Sequence, residues 1–253
     1  MAGHNKWSSI KHKKGAADAK RGKVFSRISK EIIMAAKEGG GDPMLNARLR
    51  SAIAAAKNAN MPNDNVERAI KKGTGADASS QMELLSYEGY AAGGVAVIVN
   101  CLSDNRNRTA SDIRAFFTKY NCSMANSGAV SWKFHRKAKF VIEGENADEE
   151  KLFEVLLEGG ADVDDIIVEE DYAEIIAPVN AFGDIFKILE AAKIDTAESS
   201  IAMIPENTTI IDDIDTARQV QKFIDVLEDY EDAQEVFTDI EISDEVAEQL
   251  AAD

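Results

Sequence analysis

Cysteine is scarce: Cys101 and Cys122 are the two in 253 residues. Two thiols supply neither a disulfide framework nor a four-ligand zinc set. They suit a reducing compartment, where a buried Cys acts as a small hydrophobe. The three histidines are scattered, and no Ser, Cys or Asp stands in a recognisable nucleophile motif, so no enzyme is expected. His4 and His12 have no companion carboxylate or thiolate and read as polar members of a basic arm, not as metal ligands. Gly39-Gly-Gly-Asp-Pro43 is followed by no Lys-Ser/Thr, which excludes a P-loop, and Tyr87–Gly94 lacks the spacing of a dinucleotide loop and reads as a hairpin. Asp162-Val-Asp-Asp165 and Glu169-Glu-Asp171 lack EF-hand spacing and read as a solvated acidic edge. Apolar runs such as Ile32–Ala36 and Gly94–Val99 fall far short of the ~18 residues of a membrane span. Met1–Lys14 is polar and basic and lacks the apolar core of a signal peptide. The expectation is a soluble, cytoplasmic protein with no membrane partner, no metal and no cofactor.

Charge is abundant and unevenly placed. The net charge is −16 and the pI about 4.7, which taken alone argues against nucleic acid. The distribution argues otherwise. Residues 1–80 carry a net +9, residues 81–140 a net +4 and residues 141–253 a net −29. Such asymmetry is a partner signal. Screening over ~8 Å at physiological salt lets a basic domain keep its own field beside an acidic one.

The period of the apolar residues gives the elements. Residues 1–23 read as a flexible basic arm interrupted by Gly3, Gly15 and Gly22. A helix is predicted over Lys23–Glu38 from Val24, Phe25, Ile28, Ile32, Ala35 and Ala36. A second is expected to start at the N-cap Asp42 with Pro43 in its first turn, and to bury Leu45, Leu49, Ala52, Ile53 and Ala56. A third, from near Pro62 to Gly73, turns Val66, Ala69 and Ile70 inward. Residues 73–80 read as a linker. The period then changes from 3.6 to 2. Strands are predicted at 84–90 and 95–102, a helix at 109–120 opened by a capping box at Thr109-Ala-Ser-Asp112, and a strand at 129–134. Next come a strand at 139–143, a helix at 148–158, strands at 165–169 and 173–178, a helix at 182–192 and a strand at 197–204, the ferredoxin-like order. A helix at 214–230 and a strand at 233–238 close the chain, and would complete the earlier strand-strand-helix-strand set. The fold expected is therefore α+β: an N-terminal three-helix domain (1–80) and two α/β ferredoxin-like domains. One of these is discontinuous (81–136 and 206–253) and the other, acidic one is inserted into it (137–205).

Two places suggest chemistry. In the first, Lys6, Lys11, Lys13, Lys14, Lys20, Arg21, Lys23, Arg27 and Lys30 crowd the first thirty residues against one acid, Asp18. Many point charges with little fixed geometry suit a phosphate backbone, with counterion release as the driving term. Trp7, exposed by its context, either stacks on an unpaired base or docks onto the helical bundle. Lys71 and Lys72, with Arg68, give the third helix cations fitter for backbone contact than for base readout. The second place is Leu102-Ser-Asp-Asn-Arg-Asn-Arg-Thr-Ala110. There Arg106 and Arg108 and the amides of a helix start suit a phosphate or carboxylate. Lys133, Arg136, Lys137 and Lys139 would extend that basic surface.

Met1-Ala-Gly-His-Asn-Lys-Trp7, Asp18-Ala-Lys-Arg-Gly-Lys-Val-Phe25, Gly39-Gly-Gly-Asp-Pro43, Asn60-Met-Pro62, Tyr87-Glu-Gly-Tyr90, Asp104-Asn-Arg-Asn-Arg-Thr109, Met203-Ile-Pro205 and Leu227-Glu-Asp together resemble the YebC family over nearly the whole chain. Ala91-Ala92, Ala129 and Ala138 are departures that bear on turn geometry only. The resemblance implies a helical domain followed by two α/β domains, one interrupted by the other. It implies either a DNA-binding transcriptional regulator or a ribosome-associated factor that eases synthesis of proline-rich stretches. The N-terminal lysines, Arg106 and Arg108 would then touch DNA, rRNA or tRNA, and the acidic domain would suit basic protein partners.

Overall fold

The computed structural model describes Trp7 and residues 21–75, 82–169 and 172–251. Three helices, α1 (Arg21–Gly39), α2 (Ala47–Asn58) and α3 (Asn63–Thr74), form the first unit. Ile32, Ala35, Ala36, Leu49, Ala52, Ala56, Met61, Val66 and Ala69 fill its core, as the three- and four-residue spacing requires. The start of α2 differs from expectation. Asp42 and Pro43 form a turn in which Asp42 accepts the Met44 N–H (2.8 Å), and Leu45 is exposed. The N-cap is Asn46, which accepts from Leu49 N (3.0 Å) and donates to Ala35 O (2.7 Å) and Gly40 O (2.8 Å). A buried amide that satisfies both chain ends holds α2 against α1 more firmly than Asp42 could. The expected 73–80 linker lies mostly outside the described residues.

The central unit contains β1 (Glu83–Tyr90), β2 (Ala96–Ser103), α4 (Arg106–Lys119) and β3 (Ser123–Ala125), and regains β9 (Ala233–Thr238) more than a hundred residues later. Its antiparallel sheet has the order β3-β1-β2-β9. β1 and β2 are the expected hairpin, with Glu83 opposite Ser103 and Tyr90 opposite Ala96. Strand β2 is buried on both faces. Val97, Val99 and Cys101 meet α4 and α7 (Ile214–Asp229), and Phe117 and Phe223 cross edge to face at 4.9 Å. Ala96 and Ile98 meet Val130 and Phe134 behind. Burial on both faces is why this strand reads as an unbroken apolar run.

The inserted unit contains β4 (Phe134–Glu143), α5 (Glu149–Glu158), β5 (Asp165–Glu169), β6 (Tyr172–Ala177), α6 (Phe182–Ala191) and β7 (Glu198–Pro205). Its antiparallel sheet has the order β5-β6-β4-β7, the ferredoxin-like arrangement. Phe140, Ile142, Leu152, Leu156, Ile175, Ile185 and Leu189 form its core. The fold is thus α+β with one α/β unit set into another. Entry and exit strands are pinned together where Phe134 faces Pro205 and Glu206 N donates to Lys133 O (2.7 Å).

Two expectations fail in detail. No strand spans 129–134; that stretch forms a loop and a short 3-10 turn, and β4 runs from 134 to 143 without a break. After β9 the chain continues through β10 (Ile240–Ile242), which pairs in parallel with β8 (Thr209–Ile211), and ends in α8 (Asp244–Ala251). Ile211, Ile240, Ile242, Val246 and Leu250 extend the central core.

Candidate nucleic-acid interface

Helix α4 begins three residues earlier than its Thr109 capping box suggested. Asn105 is the N-cap and accepts from Arg108 N (3.1 Å), while its own N–H donates to Ser103 Oγ (3.0 Å). The Arg108 amide is therefore bonded within the protein. Thr109, one turn in, is fully buried, with its hydroxyl 2.7 Å from Ser103 Oγ and 2.9 Å from Asp232 Oδ2.

These groups converge on Asp232, at the entrance to β9. Its side chain is 5% exposed. Oδ1 accepts from Lys30 Nζ on α1 (2.8 Å). Oδ2 accepts from Arg108 Nη2 (2.8 Å) and Ser103 Oγ (3.1 Å), with Tyr230 OH at 3.2 Å. Lys30 also reaches Glu231 O (2.9 Å), Arg108 reaches Asp104 Oδ1 (3.1 Å), and Tyr230 donates to Asp112 Oδ2 (2.8 Å). Burial pushes the Asp232 carboxyl up in pKa, but the bonds from Lys30, Arg108 and Thr109 outweigh it and hold it well below the carboxylate range. The cluster ties the helical unit to the central one.

The residues expected to meet phosphate thus divide. Lys6, Lys11, Lys13, Lys14 and Lys20 lie outside the described residues, and Arg21 and Lys23 are described only as the backbone that opens α1. Arg27 and Lys30 are half-buried on α1, Lys30 being committed to Asp232. Lys71 and Lys72 are exposed in the last turn of α3, and Arg106 is exposed at the first position of α4. Arg108 is half-exposed but bridged to Asp232 and Asp104.

Trp7 requires a correction. It is 8% exposed and belongs to the apolar core of the central unit, so it is neither open to a base nor docked on the bundle core. A large ring in a polar arm gains more from burial than from exposure. The expected extension through β4 also fails in part. Lys133 bonds to the buried Asp239, Lys137 pairs with Asp164 (2.9 Å), and Lys139 pairs with Glu174 (2.9 Å) inside the sheet; Arg136 remains exposed. Among the described residues no cluster of His, Cys, Asp and Glu could hold a metal, and no helix is long and apolar enough to cross a membrane.

A small helical unit carrying exposed cations, fastened through the Lys30–Asp232 ion pair to the central one of two nested α/β units, defines a three-unit α+β protein. The chain belongs to the TACO1/YebC family: residues 5–76 match the family's N-terminal domain and residues 82–240 its second and third domains. It is 49% identical over 248 residues to a "Probable transcriptional regulatory protein" of Desulfosudis oleivorans, covering 98% of this chain and all of the relative. It is 50% identical over 250 residues to a protein of the same description from Geobacter sulfurreducens, covering 99% and 100%. The crystal structure of a conserved hypothetical protein from Aquifex aeolicus superposes with a TM-score of 0.83 at 42% identity, covering 93% of this chain and 96% of that one.

Proposed function

We propose that the protein is a non-enzymatic, cytoplasmic regulator of gene expression that holds nucleic acid by its phosphate backbone through the helical domain and the basic segment before it. The observation that carries this reading is charge segregation: +9 in residues 1–80 against −29 in residues 141–253. Lys37, Arg50, Lys57, Arg68, Lys71, Lys72 and Arg106 are exposed on the basic side. The relatives named as probable transcriptional regulatory proteins support DNA as the polymer. Helix α3 is 12 residues long and turns out Arg68 near its middle and Lys71 and Lys72 in its last turn, a set of cations suited to backbone contact, so sequence discrimination is weak.

A second reading, a ribosome- or RNA-bound translation factor that eases elongation through proline-rich stretches, is favoured by the acidic unit. A duplex running past it would be repelled, whereas basic ribosomal proteins would not. Sedimentation with ribosomes at physiological salt, with and without excess duplex DNA, separates the two. Loss of the protein to DNA is the result expected of the transcriptional regulator. Co-sedimentation that resists DNA establishes the translation factor instead.

A further inference from the structure

The two tryptophans have opposite fates: Trp7 is buried at 8%, while Trp132 is 69% exposed in the short turn before β4. Trp132 is nevertheless fixed. Its indole Nε1–H donates to Ala129 O (3.1 Å), and Tyr90, 40% exposed, sends its hydroxyl to the same carbonyl (3.3 Å). The loop bearing that carbonyl is held from within by Glu88, which accepts the N–H groups of Gly128 (2.7 Å), Val130 (2.8 Å) and Ser131 (2.9 Å). Glu88 is 4% exposed. Burial pushes its carboxyl up, but the three backbone donors outweigh burial and hold it below its ordinary range, so the clamp stays charged. On either side of the turn, Val130 and Phe134 are buried against Ala96 and Ile98.

Two aromatic rings therefore stand on a rigid base with both polar tips spent on one carbonyl. The ring faces are what remain for a ligand, and ring faces select planar π systems rather than hydrogen-bonding groups. Arg136, exposed on the strand that Trp132 introduces, favours a polyanionic carrier of that planar group. We infer that Trp132, with Tyr90 sharing its anchor, is a stacking platform for an unpaired base of single-stranded nucleic acid. Base stacking on such rings tolerates any sequence, because every base has a π face. The inference rests on the nucleic-acid reading above and specifies where a base, as distinct from a phosphate, is held.

The test uses the full chain and two strands of about a dozen nucleotides, within the range one single-strand site covers. One is oligothymidylate; the other has the same phosphates and abasic sugars. Trp132 reports directly, since Trp7 is shielded. Oligothymidylate quenches tryptophan emission and the abasic strand does not. Trp132→Ala weakens oligothymidylate binding by roughly 5- to 150-fold, leaves abasic binding unchanged and abolishes the quench, and Trp132→Phe retains most of the affinity. Equal binding of the two strands, or a Trp132→Ala protein that binds oligothymidylate like the wild type, overturns the platform and leaves phosphate binding standing. Binding of neither strand at low salt overturns both.

Discussion

Asp232 lies in an acidic run, Glu228-Asp-Tyr-Glu-Asp232, and nothing in the run distinguishes it from its neighbours. Folding does: it meets Lys30 from one unit and Arg108 from another. Which acid pairs with which base is decided by tertiary contact, so this residue was not legible in the sequence, whereas its partners Lys30 and Arg108 stand out there as surplus cations. Removing one member of a buried pair leaves the other charge without compensation. Asp232→Ala is expected to destabilise the protein by about 3 kcal/mol, the low end of the usual range because Arg108 is half-exposed. Denaturant unfolding measures it, and Lys30→Ala added to Asp232→Ala should cost little more. The pH dependence has a definite sign. The folded pKa of Asp232 is depressed, so its contribution is full above the unfolded value of about 3.9 and is lost as pH falls through the folded value. Stability is expected to be insensitive to Asp232 between pH 7 and about pH 5 and to decline in stronger acid. Asp232→Asn should flatten that decline, as read from acid unfolding curves. Trp7 teaches the opposite lesson: a lone aromatic in a basic arm gives no period, so only the fold reveals that it fills the central core.

Elements with a sustained apolar period were legible, and elements defined by caps or by pairing across long separations were less so. Helices α1 and α3 follow their stripes closely, because burial of one face decides where they lie. The start of α2 departs from its sequence signal because Asp42-Pro43 is a good helix opening locally, while Asn46 wins by bonding two carbonyls of the preceding turn. Asn46→Ala is expected to cost about 1–2 kcal/mol, seen as an earlier thermal transition. Strands β8 and β10 are three residues each and too short to show a period, and α8 has Val246 and Leu250 as its fully buried pair. The packing of α1 on α3 depends on Gly73. A Cβ there would lie 2.5 Å from Ile33 O and 2.8 Å from the Ala36 methyl. Gly73→Ala is expected to destabilise the helical unit by roughly 1–3 kcal/mol, since two backbones must separate. Hydrogen exchange should show the loss first in α1 and α3.

At the scale of the whole molecule, chain order and charge carried the most information. The ferredoxin-like order between two incomplete halves made the insertion legible, because a sheet that lacks a strand must recover it from later in the chain. The charge gradient was legible too, but the way it is neutralised was not: Lys133, Lys137 and Lys139 lie in a basic stretch and are consumed by Asp239, Asp164 and Glu174. Among the described residues, the exposed cations left for a polyanion include those of the helical unit, Arg106 at the start of α4 and Arg136 near Trp132, and the proposed interface adds the basic segment before the helices. The direct test of that account is the salt dependence of nucleic-acid affinity for the wild type and for a chain with Lys11, Lys13 and Lys14 replaced by Ala. Each phosphate that the protein no longer neutralises lowers the steepness of log K against log salt by about 0.9 on duplex DNA and about 0.7 on a single strand. The account predicts weaker binding, a slope shallower by the equivalent of roughly two to three phosphates, and an unchanged unfolding transition. Equal affinity with an unchanged slope would contradict it and remove the basic segment from the interface.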